Sequence, residues 1–259
     1  MRLVRIGVWV VCAFAGGAAV AAGDLKEGLV GFWRFASGDG VTVSDQSGNG
    51  LDGRICGGRL EGSPRALACD GCSTEVEVDE RGGAAISNAM TVVAWVRPAA
   101  VRKCAIAGKP HTDPTFTTPM PGLFLSERGR VAFGAWEAKG RGKGLCEGAS
   151  EIPRDVWTMV GATFGASKVT LYVNGRPDGA SDAFPVMSYG KGPLYIGRAK
   201  AGSAMFKGLI GEVRLYRRAL SGEEMAALFA QTRSVYPQEA PPPKSPGRTV
   251  TVADRKSVV

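Results

Sequence analysis

Residues Glu75, Val76, Glu77, Val78, Asp79 and Glu80 form the run with the clearest catalytic potential. In a strand, successive side chains point to opposite faces, so Glu75, Glu77 and Asp79 would share one surface. Two carboxyl groups about 5 Å apart, one of them holding a proton, are what retaining glycoside hydrolysis requires. That requirement makes the run a candidate site for a glycoside hydrolase. The same run also describes the solvent face of a half-buried strand, and no aromatic cluster of the kind that lines a sugar cleft stands beside it. His111 is the sole histidine, which leaves a Ser-His-Asp hydrolase poorly supported. We therefore expect a non-enzyme.

Three further groups invite a chemical reading. Asp45, Asn49 and Asp52 lie in a glycine-rich stretch, where oxygen ligands on a turning backbone suit calcium. A turn that caps its own backbone would use the same residues. Lys139, Arg141 and Lys143 alternate with glycine and follow Trp136. This basic loop and its tryptophan could contact an anionic glycan, or could simply be a solvated segment. Cys69 and Cys72 stand in a C-x-x-C spacing, but a second such pair is missing, so a disulfide framework is favoured over zinc. The expected bridges are Cys104–Cys146 and Cys56–Cys72, with Cys69 pointing into the core.

The N-terminus reads as a secretory signal over residues 1–22. Arg2 and Arg5 precede an apolar run at 6–14, and Ala19, Val20 and Ala21 offer a small-x-small cleavage site. Its loss removes two of the 32 basic residues and no acidic ones, leaving 30 against 24, a net charge of +6. That mild excess tolerates an anionic partner without demanding one. A secreted chain with no transmembrane span after cleavage is expected, and export argues against a nucleic-acid partner.

The scaffold that must position these groups is read from period-two patterns. In residues 168–174, Val169, Leu171 and Val173 alternate with Lys168, Thr170 and Tyr172, and Asn174-Gly175 supplies a tight turn. Short strands are expected at 29–35, 66–70, 74–78, 90–97, 105–109, 123–126, 131–136, 156–164, 193–197 and 208–216, with glycine and proline punctuating them. Together they predict an all-β, two-sheet antiparallel jelly-roll sandwich with one short C-terminal helix. Ser221 and Glu224 form a capping box for that helix, whose Met225, Leu228 and Phe229 make an apolar stripe. Trp33, Trp95 and Trp157 are expected between the sheets. The domain is placed at 23–232, and the proline-rich residues 233–259 are expected to be disordered.

Five blocks in order carry a family resemblance: 28–35, 45–53, 90–96, the hairpin after Trp157, and 206–221. Together they resemble a laminin-G-like jelly-roll domain of the concanavalin A-like lectin/glucanase superfamily. The resemblance implies a non-catalytic recognition module that binds carbohydrate or a glycosylated surface through loops at one rim, the candidates being 107–122, 137–150 and 178–191. The alternative is a protein–protein adhesion or assembly domain for an extracellular protein. Glucanases of the superfamily carry Glu-x-Asp-x-x-Glu on a strand, so the resemblance would make Glu75 and Glu80 the catalytic groups of a glycoside hydrolase, although Glu77 occupies the middle position here. The resemblance also implies one structural Ca2+ held by Asp45, Asn49, Asp52 and an acid of the closing strand. Gly211 stands where that acid is expected, leaving Glu212 or backbone carbonyls to substitute.

Overall fold

The computed structural model describes residues 25–79, 89–109, 121–137, 143–182, 187–188, 192–198 and 204–239. Its strands, in chain order, are Leu29–Arg34 (β1), Thr42–Val43 (β2), Gly53–Cys56 (β3), Arg59–Glu61 (β4), Ala66–Asp70 (β5), Glu75–Val78 (β6), Ala89–Pro98 (β7), Cys104–Gly108 (β8) and Gly122–Leu125 (β9). They continue with Arg130–Glu137 (β10), Lys143–Glu151 (β11), Thr158–Gly165 (β12), Lys168–Val173 (β13), Arg176–Ser181 (β14), Met187–Ser188 (β15), Leu194–Ile196 (β16) and Lys207–Tyr216 (β17). One helix, Gly222–Thr232 (α1), follows.

The strands form two antiparallel sheets. One has eight strands in the order β14-β13-β12-β7-β17-β5-β4, with β1 also on β17; the other has nine, β11-β10-β9-β8-β16-β6-β3-β2, with β15 on β10. This is the expected all-β jelly roll. The hairpin from β12 to β13 turns at Ala166 and Ser167, φ 49° and 62°, and β13 ends at Asn174 and Gly175, φ 50° and 75°. Paired left-handed residues match the twist of the flanking strands, which is why Asn-Gly works at the second turn.

Inward residues from both sheets, including Trp33, Val76, Val96, Ile106, Phe133, Val160 and Val213, make the main core. Trp33 also donates its Nε1–H to the Leu51 carbonyl at 2.6 Å, satisfying its one polar atom. Trp95 and Trp157 are elsewhere. They belong to a second apolar cluster with Tyr216, Met225, Leu228 and Tyr236, on the outer face of the eight-stranded sheet beneath α1. The physical reason is that β7 is buried on both faces. Val92, Ala94 and Val96 face the other sheet, and Val93 and Trp95 face the helix.

Helix α1 carries the expected capping box between Ser221 and Glu224. Arg218 reinforces it, its two terminal nitrogens reaching the Glu224 carboxylate at 2.8 and 2.6 Å. The ordered chain continues past the expected end at 232. Tyr236 is only 1 % exposed, with its ring stacked on Trp95 at 4.7 Å and tilted against Trp157 at 5.0 Å. A Cβ at Gly211 would fall 2.3 Å from that ring. Gly211 is thus the residue that seats Tyr236. Residues 233–239 are a strap over the sheet rather than the start of a tail.

Candidate functional site

Strand pairing decides where the candidate loops emerge. Gly108 pairs with Gly122, where β8 ends and β9 begins. Gly122 pairs with Gly134, and two residues further along β10 Trp136 pairs with both Lys143 and Ser188. Tyr195 pairs with Gly108, and Leu194 pairs with Val78, which itself pairs with Gly53. The connections at 109–121, 138–142 and 182–193 therefore leave the same end of the nine-stranded sheet, as do those after Val78 and before Gly53. Gly108, Gly122 and Gly134 lie side by side across β8, β9 and β10, a strip of sheet without side chains. Tyr195 borders it on one side and Leu145, 55 % exposed, on the other.

Of the predicted rim residues, Trp136 and Lys143 are backbone partners in the β10–β11 register, and Lys139 and Arg141 lie outside the described residues. Part of the expected 137–150 loop is strand β11, and part of 178–191 is strand β14. Burial in β11 does alternate, with Gly144, Cys146 and Gly148 inward and Leu145 and Glu147 outward. Its inward positions are small, so hydrophobicity carries no period there.

Glu75 and Glu77 share the outer face of β6, as the alternation required, with Val76 and Val78 in the core. Each is committed to a guanidinium. Glu75 is ion-paired with Arg198, and Glu77 with Arg54 at 2.7 Å. Arg198 also lies 4.8 Å from the centre of the Tyr195 ring, a cation–π contact. Glu80 lies outside the described residues. Sequence reasoning found the carboxylates and missed their arginines, which sit 123 and 23 positions away.

The residues proposed for calcium do not fit the ion. Both oxygens of Asp45 accept hydrogen bonds already: Oδ1 from the Phe32 and Ser47 N–H groups at 2.9 and 2.8 Å, Oδ2 from the Ser47 hydroxyl at 2.8 Å and the Leu51 N–H at 3.1 Å. Burial works against the charge, yet these donors outweigh it and hold the carboxyl below its usual range. Asp52 accepts the Asp45 N–H at 2.8 Å, and the Asn49 amide donates to the Leu29 and Val30 carbonyls. Glu212 is 3 % exposed and engaged by Arg214 at 3.0 Å, Arg34 at 3.9 Å and the Tyr236 hydroxyl at 3.4 Å. Among the described residues no group of three or more His, Cys, Asp or Glu is placed to hold a metal. The loop is a self-capped turn.

The expected disulfides are also corrected. Cys56, Cys69, Cys72, Cys104 and Cys146 are all free thiols. Cys104 lies opposite Leu125 on β9, and Cys146 lies opposite Phe133 on β10. Two strands therefore separate them. Three spacings of about 4.8 Å put their backbones about 14 Å apart, beyond the roughly 7 Å a bridge can span. Cys56 closes β3 opposite Glu75, while Cys72 is exposed in a turn drawn together by Asp70, which accepts the Cys72 and Ser73 N–H groups. Cys69 does point into the core, as expected.

Two face-packed antiparallel sheets with loops gathered at one end define a jelly-roll architecture. A family model described as concanavalin A-like lectin/glucanases superfamily (Laminin_G_3) matches residues 70–226. The chain belongs to that family. No match is found among curated proteins. Among solved structures, the binding domain of Paraclostridial Mosquitocidal Protein 1 superposes with a TM-score of 0.65 at 15% identity, covering 80% of this chain and 53% of that one. Trypanosoma rangeli sialidase in complex with sialic acid gives 0.62 at 20%, covering 89% and 36%. Domain 4 of AbnA, a GH43 extracellular arabinanase from Geobacillus stearothermophilus in complex with arabinotriose, gives 0.55 at 23%, covering 77% and 97%. The chain thus spans about half of the mosquitocidal domain and about a third of the sialidase. At these identities the likeness concerns the fold. Among the described residues, no helix is long and apolar enough to cross a membrane.

Proposed function

We propose that this domain is a secreted, non-catalytic recognition module that binds carbohydrate through the loop-bearing rim of the nine-stranded sheet. The observation that carries the reading is the register: five connections leave one end of one sheet, beside a side-chain-free strip bordered by Tyr195. Rigid strands with variable loops at one end are how such scaffolds present binding residues. The arabinanase domain of the same fold, solved with arabinotriose, supports a saccharide as ligand. The ion pairs on Glu75 and Glu77 support a role without hydrolysis, and the signal-like residues 1–22 support export.

A glycan array tests this. Binding should weaken on Trp136→Ala and on combined neutralisation of Lys139, Arg141 and Lys143. An array that stays silent rejects the glycan reading and leaves an adhesion domain, for which exposed Leu145 on the same sheet is a candidate contact. Polysaccharide hydrolysis lost on Glu75→Gln would reject the non-catalytic reading.

A further inference from the structure

The end of the sandwich opposite the rim holds a second candidate site. A groove of about 510 Å³ opens on the outer face of the eight-stranded sheet, within the size range of small-ligand pockets. Pairing explains its shape. Arg59 on β4 lies opposite Ala68 on β5, Ala68 opposite Leu209 on β17, and Leu209 opposite Arg97 on β7. Two arginines thus face each other across three strand spacings, about 14 Å, over a floor of small and aliphatic side chains. Lys207 stands two residues before Leu209, on the same face.

The charges around this floor are not equivalent. Asp70 has spent its oxygens on its own turn, accepting the Cys72, Ser73 and Thr74 N–H groups and the Ser73 hydroxyl. Glu61 is paired with Arg59 at 2.6 Å, but the arginine side chain is 79% exposed, and such a pair contributes little and yields readily to a competing anion. Arg97 donates its Nε–H to the Asp155 carbonyl at 2.9 Å and lines the groove. Asp155 also lines the groove, with its backbone at φ 58° and its N–H on the Pro98 carbonyl. The groove therefore brings three cationic side chains and the Asp155 carboxylate around a floor of small and aliphatic residues.

We infer that this groove binds an anionic saccharide, its carboxylate or sulfate held by Arg59, Arg97 and Lys207 and its hydroxyls by Asp155. Guanidinium forks take anionic oxygens in pairs, and a carboxylate accepts from neighbouring hydroxyls. This site is separate from the proposed rim and does not depend on it.

Calorimetric titration of the full chain with a uronic-acid trisaccharide tests the inference, with the neutral hexose trisaccharide of the same linkage and inorganic sulfate as controls. The acidic saccharide should bind, weaken as salt rises, and lose at least about tenfold in affinity in the Arg59→Gln, Lys207→Gln double variant. Both side chains are exposed, so that variant should keep the native melting temperature. The neutral saccharide and sulfate should bind at least about tenfold more weakly. Absence of binding, equal binding of the neutral saccharide, or sulfate as tight as the saccharide would each overturn the inference. If neutralising Lys139, Arg141 and Lys143 abolishes binding while the groove variant retains it, the groove reading fails and the rim reading stands.

Discussion

Two parts of one sheet face differ in a way that instructs about the whole molecule. On the outer face of the eight-stranded sheet, β7 presents Trp95 and then, two residues on, Arg97. Trp95 is 1% exposed beneath α1 and the 233–239 strap; Arg97 borders an open groove. The alternation of the strand gives both the same side of the sheet and says nothing of what lies above them. Covering elements from the far end of the chain decide which position becomes a core and which remains a surface. The largest expected contrast follows. Trp95→Ala removes a stacked ring and the hydrogen bond from its Nε1 to Thr232 Oγ1 at 2.9 Å, and should cost about 3–5 kcal/mol by urea denaturation. Arg97→Ala should cost about 1 kcal/mol, the scale of one net hydrogen bond. Equal losses would break the distinction between the two parts.

The strap gives the next largest effect. Tyr236→Ala should cost about 3 kcal/mol, since a buried aromatic ring is lost and a cavity remains. Gly211→Ala should destabilise by about 1–3 kcal/mol for the opposite reason, because its methyl would invade the ring's space. In combination the two substitutions should cost less than their sum, because the cavity left by one accommodates the methyl of the other. Strict additivity would mean that Gly211 does not seat the ring.

What was legible in the sequence follows from range. The hairpin turning at Asn174-Gly175, the Ser221–Glu224 cap and the strands with large apolar residues are local signals, and all are present. Strands β11 and β14 went unread because the inward positions of β11 hold glycine and cysteine and β14 has no fully buried residue, so neither carries a hydrophobic period. The layer assignment of Trp95 and Trp157 needed α1 and Tyr236, and Tyr236 sits among prolines and charges where no local pattern marks it as core. Site residues divide the same way. Strand spacing placed Glu75 and Glu77 on one face, but Arg198 and Arg54 reach them only through sheet pairing.

Burial of a charged group extends the comparison to the rim. Lys109, adjacent to Gly108, is 3% exposed, and desolvation pushes its ammonium down to about 8 from 10.5. Between these values the unfolded chain holds a proton on this lysine that the folded chain releases, so the contribution of Lys109 to stability should rise with pH from about 8 to about 10.5. Below pH 8 the folded state carries the full desolvation penalty. Buried Cys69, Cys104 and Cys146, whose thiols burial pushes up, give the opposite slope above about pH 9 in both proteins, so the test is the difference: the urea midpoint of the wild-type protein relative to Lys109→Met should climb across that window. A slope unchanged by the substitution would assign the burial no energetic consequence.

The smallest expected effect is none at all, and it tests whether polar groups, like apolar ones, are settled by what already covers them. Asp45 accepts four hydrogen bonds from its own loop and strand β1, and Glu212 is enclosed by Arg34, Arg214 and Tyr236. A calcium ion binding the Asp45 carboxylate would have to displace N–H donors that then face a cation, and would gain nothing from Glu212 without breaking the strap. Millimolar calcium or excess chelator should therefore leave the melting temperature unchanged. By contrast, Asp45→Ala should lower stability by about 1–3 kcal/mol, because the Phe32, Ser47 and Leu51 donors lose their acceptor. A calcium-dependent rise in melting temperature, abolished by Asp45→Ala, would show the loop to be an ion site whose hydrogen bonds rearrange on binding.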